Sequence, residues 1–373
     1  MKKTIFILVT CITLASCDKT DLGNSIQYEF PECGTSQLNG KTIPKVCATR
    51  DLIATKTHND YTPKFIKIIV GAGHAGYGSS TSKTGAVLGF ENKEFDMQGH
   101  AWDFSKQKNP SLVLSGHDII VRNGIILNAN ILLGSNIYFS PNFSTKKQIN
   151  NLNIEQDGFL YANNTYDCKK LGISSCDERN LLENVLIENI KNKANDLTLQ
   201  SWGGGILNSQ LILKNRINIY GSKATIINNK IISDAELKAE NSIFPLIQIN
   251  KSIFLAYSQQ IFPDENDDKI AIPSTLYIKF SPDTVIDGNT FTLTQKNDQA
   301  YAIVLDHSPR VRITNNTFNG FKVPILMDQW SSIVDEKGNE IKPENFTGYG
   351  NVINPDKFAG NVTMNRKGEI VKE

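Results

Sequence analysis

Ile286-Asp-Gly-Asn289-Thr-Phe291 and Ile313-Thr-Asn-Asn316-Thr-Phe318 share one phrase: an apolar residue, two further residues, Asn, one residue, and a second apolar residue. The phrase returns at Ile120-Val-Arg-Asn123-Gly-Ile125 and Ile226-Ile-Asn-Asn229-Lys-Ile231, with a degenerate copy at Ile206-Leu-Asn-Ser209-Gln-Leu211. Recurrence of a short unit at coil-sized intervals is typical of a solenoid, in which each coil packs only on its neighbours.

The Asn of the phrase has a local physical reason. A sharp bend between two strands needs left-handed backbone angles, which Gly adopts freely and Asn tolerates best among the other residues. Stacked coils would place these Asn side chains above one another, where their amides bond along the stack, while the flanking apolar residues fill a tube. The gap between Ile226 and Ile286 predicts an intervening coil through Leu246-Ile-Gln-Ile-Asn250, and Phe95–His100 and Gly116–Gly124 predict two early coils.

This pattern resembles the right-handed parallel β-helix of the pectin-lyase-like superfamily, which carries an Asn ladder at one turn. The resemblance covers residues 85–330 and implies an all-β fold, but it implies little about function. A β-sandwich or another all-β fold with Asn-rich turns is the alternative. We expect a β-helix domain over 61–330, and a C-terminal cap and tail over 331–373, because an uncovered last coil would expose strand edges.

The first residues predict export. Met1-Lys-Lys3 is basic, Thr4–Leu14 is a short apolar run, and Leu14-Ala-Ser-Cys17 closes it. This stretch resembles the bacterial lipoprotein signal, the lipobox, which implies a signal peptide over 1–16 and acylation of Cys17. The mature chain would then be anchored by lipid in the cell envelope, at the periplasmic face of the inner membrane or at the outer membrane. An ordinary signal peptide with an incidental cysteine is the alternative.

Composition narrows the function classes. The chain has 373 residues, 40% of them hydrophobic, and a net charge of +1, so it can form a core and has no broad positive field for nucleic acid. Residues 17–60 are polar and irregular, and predict a lipidated tether with a disulfide-pinned segment. In an oxidising compartment the short separations favour the disulfides Cys33–Cys47 and Cys168–Cys176. The cysteine spacing does not fit a zinc ribbon.

Aligning the last two coils on Ile286 and Ile313 predicts which side chains stack. The predicted neighbours are Asp283 with Arg310, Lys279 with Asp306, Phe280 with His307, Val285 with Arg312, and Asp287 with Thr314. Strand alternation places one set inside the tube: Ile278, Ile286, Leu305, Val311 and Ile313. It turns another set outward: Tyr277, Lys279, Asp306 and Arg312.

An outer face with acids, bases and an aromatic ring suits a sugar polymer, because rings stack on sugars and cations pair with uronic carboxylates. The candidate catalytic residues are Lys279, Asp306, His307 and Arg310. The candidate substrate-binding residues are Tyr277, Arg312 and Trp202. Paired carboxylates could hydrolyse a glycosidic bond, and a base could abstract the proton beside a uronate carboxylate. Opposite charges on neighbouring coils also commonly do no more than stabilise an exposed sheet.

No catalytic residue of the superfamily transfers to this chain. Its hydrolases carry an Asp-Asp pair and a Gly-His-Gly element, whereas Gly73-His74, Gly99-His100 and Gly116-His117 each lack the second Gly. No cofactor is predicted; calcium is the alternative, although the sequence shows no clear acidic cluster for it. The hypotheses are a polysaccharide lyase, hydrolase or epimerase, a non-catalytic lipoprotein that binds polysaccharide or another ligand, and a rigid spacer. Expected partners are the membrane, through the lipid, and polysaccharide rather than nucleic acid; the sequence carries no mark of oligomeric state.

Overall fold

The structure is a computed structural model. It describes residues 31–38, 40–53, 61–62, 66–70, 84–89, 92–106, 110–115, 118–133, 180–189, 197–199, 203–219, 223–236, 246–251, 255–260, 272–279, 281–306, 308–328 and 331–372.

The described residues form short strands and one 3₁₀ helix, Pro343–Tyr349. The strands up to the middle of the chain are β1 (Glu32–Leu38), β2 (Lys41–Cys47), β3 (Leu52–Ile53), β4 (Tyr61–Thr62), β5 (Ile66–Val70), β6 (Thr84–Gly89), β7 (Lys93–Asp96), β8 (Ala101–Asp103), β9 (Pro110–Ser115), β10 (Ile119–Leu127), β11 (Asn130–Leu133), β12 (Leu181–Asn189), β13 (Leu197–Leu199), β14 (Gly205–Leu207) and β15 (Gln210–Leu213). The remaining strands are β16 (Ile217–Ile219), β17 (Thr225–Ile227), β18 (Lys230–Ser233), β19 (Leu246–Lys251), β20 (Leu255–Gln260), β21 (Ser274–Lys279), β22 (Val285–Asp287), β23 (Thr290–Leu293), β24 (Tyr301–Asp306), β25 (Val311–Thr314), β26 (Thr317–Asn319), β27 (Ile325–Asp328), β28 (Ile333–Val334), β29 (Val352–Asn354), β30 (Val362–Met364) and β31 (Ile370–Lys372).

The strands wind into a parallel β-helix, which confirms the predicted fold and excludes the β-sandwich. Each coil gives one strand to a 12-stranded sheet, here called sheet B, and then a pair of strands to a 17-stranded sheet, here called sheet A. In sheet B the stacking order β13–β16–β21–β24–β27 is parallel throughout. In sheet A, β14–β17–β22–β25–β28 and β15–β18–β23–β26–β29 stack in parallel on either side of the Asn bend.

The tube between the sheets holds the core. Ile278, Ile286, Leu305, Val311 and Ile313 are all fully buried there, as alternation predicted. Phe291 and Phe318 stack on successive coils with ring centroids 5.4 Å apart. Aromatic stacking at this distance adds to the free energy gained by burying the rings. The same apolar positions that define the repeat in the sequence therefore fill the interior.

The predicted stacking of the last coils is confirmed, whereas the predicted intervening coil is wrong. Lys279 lies opposite Asp306, Val285 opposite Arg312 and Asp287 opposite Thr314. Strand β16 pairs directly with β21, and β17 with β22, so nothing is inserted between these coils. The segment expected to form a coil is instead the antiparallel hairpin β19–β20, and β20 pairs with β27.

A buried ladder of amides runs along the bend in sheet A. Asn289 Oδ1 accepts from the backbone N–H of Asn229 (2.9 Å) and from its Nδ2 (3.0 Å), and Asn289 Nδ2 donates to Ile226 O (2.7 Å). Asn316 and Asn351 repeat the same contacts on the next coils, and Ser209 begins the series. The expected bonding of amides along the stack is confirmed. Each ladder amide satisfies backbone groups that the bend removes from the sheet.

The left-handed residue at the bend is the one before the ladder Asn, which corrects the expectation that the ladder Asn itself adopts these angles. Asn228, Gly288 and Asn315 have φ of 55°, 67° and 55°. A Cβ on Gly288 would lie 2.3 Å from Asn228 Oδ1, so the Asn228 side chain would have to move if residue 288 carried a side chain. Asn123 has φ 59° and bonds to Asn184 and Asp96 in this outer row. The first copy of the phrase is thus shifted by one residue.

Antiparallel pairs occur at the ends of the stack. Strand β1 pairs antiparallel with β2, and the predicted disulfide Cys33–Cys47 joins them across a separation of 14 residues. Strands β4 and β5 pair antiparallel before β6, and the β19–β20 hairpin extends sheet B beyond β27. Antiparallel end strands prevent further coils from adding in register, which limits edge-to-edge association. The predicted disulfide Cys168–Cys176 lies outside the described residues.

The C-terminal part adds a last coil and then turns back. Strands β28 and β29 continue sheet A, and Phe346 from the 3₁₀ helix is buried against Phe318. The chain then passes beside β23, where the N–H of Ala359 donates to the carbonyl of Leu293 (3.0 Å). The antiparallel hairpin β30–β31, here called the C-terminal hairpin, lies against the outside of sheet A.

Candidate functional site

The outer face of sheet B carries the predicted site residues and some that the sequence analysis missed. Alternation turns every second side chain of β21 and β24 away from the tube, as it does for Tyr277, Lys279 and Asp306. Asn218 lies opposite Tyr277, and Ile217 lies opposite Leu276, so Arg216 falls beside Thr275. We call Arg216, Asn218, Thr275, Tyr277, Lys279 and Asp306 the sheet B patch.

The patch is more buried than expected. Tyr277 and Asp306 point away from the tube as predicted, but each is only 1% exposed, and Lys279 is partly buried. Tyr277 packs in a second apolar cluster with Ile272, Tyr301, Val304 and Leu326. The expectation that these acidic, basic and aromatic side chains are exposed to solvent is therefore wrong. They are buried because apolar side chains on the outer face of sheet B pack together in a second cluster.

Asp306 of the patch and Asp328 on the neighbouring strand β27 already accept hydrogen bonds within the protein. Tyr277 Oη donates to Asp306 Oδ2 at 2.7 Å, and Ser331 Oγ donates to Asp328 Oδ1 at 2.6 Å on the next strand. Asp328 is fully buried. A carboxylate with a hydroxyl donor at this distance is held in one orientation. These two acids are therefore fixed parts of the structure.

Lys279 of the sheet B patch has a lowered pKa. Burial lowers the pKa of Lys279 because it disfavours the ammonium form, while Asp306 opposes this shift and Arg216 adds to it. A lysine with a lowered pKa is a candidate base, provided that a substrate reaches it.

Arg216, Asn218 and Thr275 are buried beside Tyr277 with polar atoms left over. Arg216 is 4% exposed, and its guanidinium carbon lies 4.3 Å from the centre of the Tyr277 ring. Arg216 Nε and Nη1, both amide atoms of Asn218, and Thr275 Oγ1 have no hydrogen-bond partner among the described residues. Burying such groups without partners costs free energy, so this cluster is a candidate for contact with a ligand or water.

The predicted site is divided between two sheets. Arg310 lies at the corner between β24 and β25, where its Nε and Nη2 bind Asp283 at 2.8 and 3.0 Å, as the alignment predicted. Arg312 lies on sheet A, opposite Val285, and not with Lys279. His307, Phe280, Trp202 and the lipidation candidate Cys17 lie outside the described residues.

The sequence analysis missed Arg216, Asn218 and Thr275 because it aligned only the last two coils and did not include strand β16. Arg216-Ile-Asn218-Ile shows alternation of polar and apolar residues between the copies of the phrase at Ile206 and Ile226. Its register with Leu276-Tyr277-Ile278 would have placed both polar side chains beside Tyr277. The predicted intervening coil separated these strands, so their contact was not expected.

Within the described ranges there is no group of three or more His, Cys, Asp or Glu side chains that could hold a metal ion. The same residues contain no helix that is both long and apolar enough to cross a membrane.

Comparison with known proteins shows only a weak structural likeness. No family model matches the chain, and no curated protein matches it. Among solved structures, that of PfbA, a surface adhesin of Streptococcus pneumoniae, aligns over 78% of this chain and 78% of that chain, with 12% sequence identity and a TM-score of 0.20.

Proposed function

We propose that this chain is an exported, lipid-anchored β-helix that binds a polysaccharide of the cell envelope or its surroundings through the sheet B patch. One observation carries the proposal: adjacent buried side chains on one face of the solenoid, Arg216, Asn218 and Thr275, hold polar atoms that no described residue satisfies. Sugars present many hydroxyl groups at fixed spacing, and such groups satisfy convergent polar atoms beside an aromatic ring.

The geometry supports binding better than cleavage. Hydrolysis needs one carboxyl group that reaches the glycosidic oxygen and a second that acts on the sugar or on water. Asp306 and Asp328, which the register places side by side on β24 and β27, are both buried and accept from Tyr277 and Ser331, respectively. Arg310, a candidate catalytic residue, is held in a bidentate pair with Asp283. These contacts favour the non-catalytic hypothesis over a hydrolase.

Affinity electrophoresis of the purified chain through gels that contain different soluble polysaccharides tests the proposal. We expect retardation by at least one polymer, and its loss in Arg216→Gln. Lys230→Gln is the matched control, because it removes one positive charge from an exposed site on sheet A. Equal retardation of both variants would place the binding site elsewhere, and retardation by no polymer would contradict the proposed function.

Assays of the same samples separate binding from catalysis. New ultraviolet absorbance from unsaturated uronates marks a lyase, and new reducing ends without it mark a hydrolase. We expect neither with the polymer that retards the chain. Should either signal appear and vanish in Lys279→Met, the site would be catalytic.

The lipid anchor has an independent test. Acylation of Cys17 should move the full-length chain into the detergent phase on phase separation, and Cys17→Ser should return it to the aqueous phase. Identical partitioning of both chains would contradict the anchor and leave the binding proposal standing.

A further inference from the structure

The unpartnered atoms of the sheet B patch combine donors with acceptors. Arg216 Nε and Nη1 are donors only, whereas the Asn218 amide offers both a donor and an acceptor, and the Thr275 hydroxyl can act as either. All three side chains are at least nine-tenths buried. The chemical class of the ligand follows from which groups can satisfy this mixed set.

A carboxylate satisfies only part of this set. Ionised carboxylates accept hydrogen bonds and donate none, so the carboxylate group of a uronate bound at Arg216 would not itself supply a donor to the acceptor of the Asn218 amide. A sugar hydroxyl donates and accepts at once. Two neighbouring hydroxyls could accept from the guanidinium edge and donate to Asn218 and Thr275. A buried acceptor left unpaired is costly, so the hydroxylated ligand is favoured.

The charges of the patch lead to the same conclusion. Asp306 and Asp328 both act electrostatically on Lys279 and oppose the lowering of its pKa by burial. A ligand carboxylate at Arg216 would bring a further anion close to these two buried acidic side chains at low dielectric, which is unfavourable.

We infer that the sheet B patch binds an uncharged sugar through a pair of neighbouring hydroxyls, held by Arg216, Asn218 and Thr275, and that it does not recognise a uronate carboxylate. This inference rests on the proposed function and specifies its ligand. Because Arg216 and Asn218 are almost fully buried, the sugar must enter beside Lys279, the partly exposed member of the patch, and the face must open locally.

The test measures binding of the full chain to a neutral glucan, a neutral mannan, polygalacturonate and alginate, at about 50 mM and about 500 mM salt. We expect the best binding to a neutral polymer, with a dissociation constant that changes less than about twofold between the two salt concentrations, since no ion pair to the ligand forms. Thr275→Val keeps the shape and removes the hydroxyl, and should weaken this binding by about tenfold. Thr284→Val is the matched control, because the Thr284 hydroxyl already donates to Ser281 O at 2.8 Å.

Thermal unfolding of the same variants separates a binding role from a structural one. Thr275→Val should leave Tm unchanged or raise it, since the buried hydroxyl has no partner to lose, whereas Thr284→Val should lower Tm and leave binding intact. Binding only to the acidic polymers, weakened by salt, would overturn the inference and leave the proposed function standing. Neutral-polymer binding that survives in Thr275→Val would also overturn it. Retention by no polymer would remove the proposed function itself.

Discussion

The two outer faces of the solenoid bury side chains in different ways. On sheet A, the outward-facing Ile125, Leu127, Ile212 and Ile232 are apolar and lie under Val362 and Met364 of the C-terminal hairpin. On sheet B, the outward-facing Arg216, Asn218 and Thr275 are polar and hold unpartnered atoms. The apolar residues of sheet A are covered by another part of the same chain, whereas the unmet hydrogen bonds of Arg216, Asn218 and Thr275 are the basis of the binding proposal for sheet B.

The contact on sheet A spans several coils. Met364 N–H donates to a carboxylate oxygen of Glu188 on β12, and Arg366 Nη2 donates to Asp103 Oδ2 on β8 at 2.9 Å. A coil of a solenoid otherwise contacts only its neighbours, so its stability is a sum of local terms. The C-terminal hairpin joins the last coil to the early coils and should make their unfolding more cooperative.

Removal of the C-terminal hairpin should have the largest effect. A chain that ends at Gly360 loses the buried Val362 and Met364 and the partly buried Ile370, and exposes the apolar residues beneath them. We expect a loss of about 5 kcal/mol in the free energy of unfolding, from about 2 kcal/mol for each buried side chain. Urea denaturation and binding of a hydrophobic dye measure it. Arg366→Ala is the control, because its 55% exposed side chain contributes only about 0.5 kcal/mol through the ion pair. An unchanged midpoint in the truncated chain would show that the hairpin does not support sheet A.

The same substitution in two buried amides should have unequal effects. Asn289→Ala leaves the N–H of Asn229 and the carbonyl of Ile226 without partners, and should cost about 3 kcal/mol. Asn218→Ala removes an amide with no described partner, and should cost less than about 1 kcal/mol. Chemical denaturation of both variants measures the difference. Equal losses would mean that Asn218 is satisfied in solution, and the distinction between the two faces would fail.

The spacing of the repeated Asn phrase made the fold predictable. It did not predict which residues on the outer faces of sheets A and B are buried. The Asn phrase fixed the stacking of Ile286 on Ile313, and therefore the pairs Lys279–Asp306 and Asp283–Arg310. The direct pairing of β16 with β21 could not be predicted, because the segment between them has strand character and lacks any local signal that it joins β27 instead.

The cover of sheet A was equally hidden from the sequence. Val362 and Met364 lie far along the chain from Ile125 and Ile212, and their contact depends on the direction in which the chain leaves β29. Charged and Gly-containing segments such as 355–372 are typical of surface structure, which the C-terminal hairpin also is. Local pattern therefore gave the coils, while long-range contacts decided which outward-facing residues are buried.

The pH dependence of stability should give the smallest of the predicted effects. It should distinguish the two faces, because Asp103 on sheet A acts in the acid range and Lys279 on sheet B acts in the alkaline range. On sheet A, burial would raise the pKa of Asp103, but hydrogen bonds from Ser105 and the nearby Arg366 outweigh it and lower the pKa. The unfolded chain therefore binds the proton more tightly, and the stability that Asp103 contributes is present above pH about 4 and lost as the pH falls through its folded pKa. Urea midpoints measured across the acid range should fall more steeply for the natural chain than for Asp103→Asn.

On sheet B, burial lowers the pKa of Lys279, so the unfolded chain again binds the proton more tightly, but in the alkaline range. Stability should therefore rise with pH between the lowered folded pKa and the ordinary value of about 10.4, and Lys279→Met should remove this rise. In a plot of urea midpoint against pH, Asp103→Asn should flatten only the acid end, and Lys279→Met should flatten only the alkaline end. A flat alkaline limb in the natural chain would show that Lys279 titrates as an exposed lysine, and the patch around Arg216 and Asn218 would then be open to water rather than closed over its unmet hydrogen bonds.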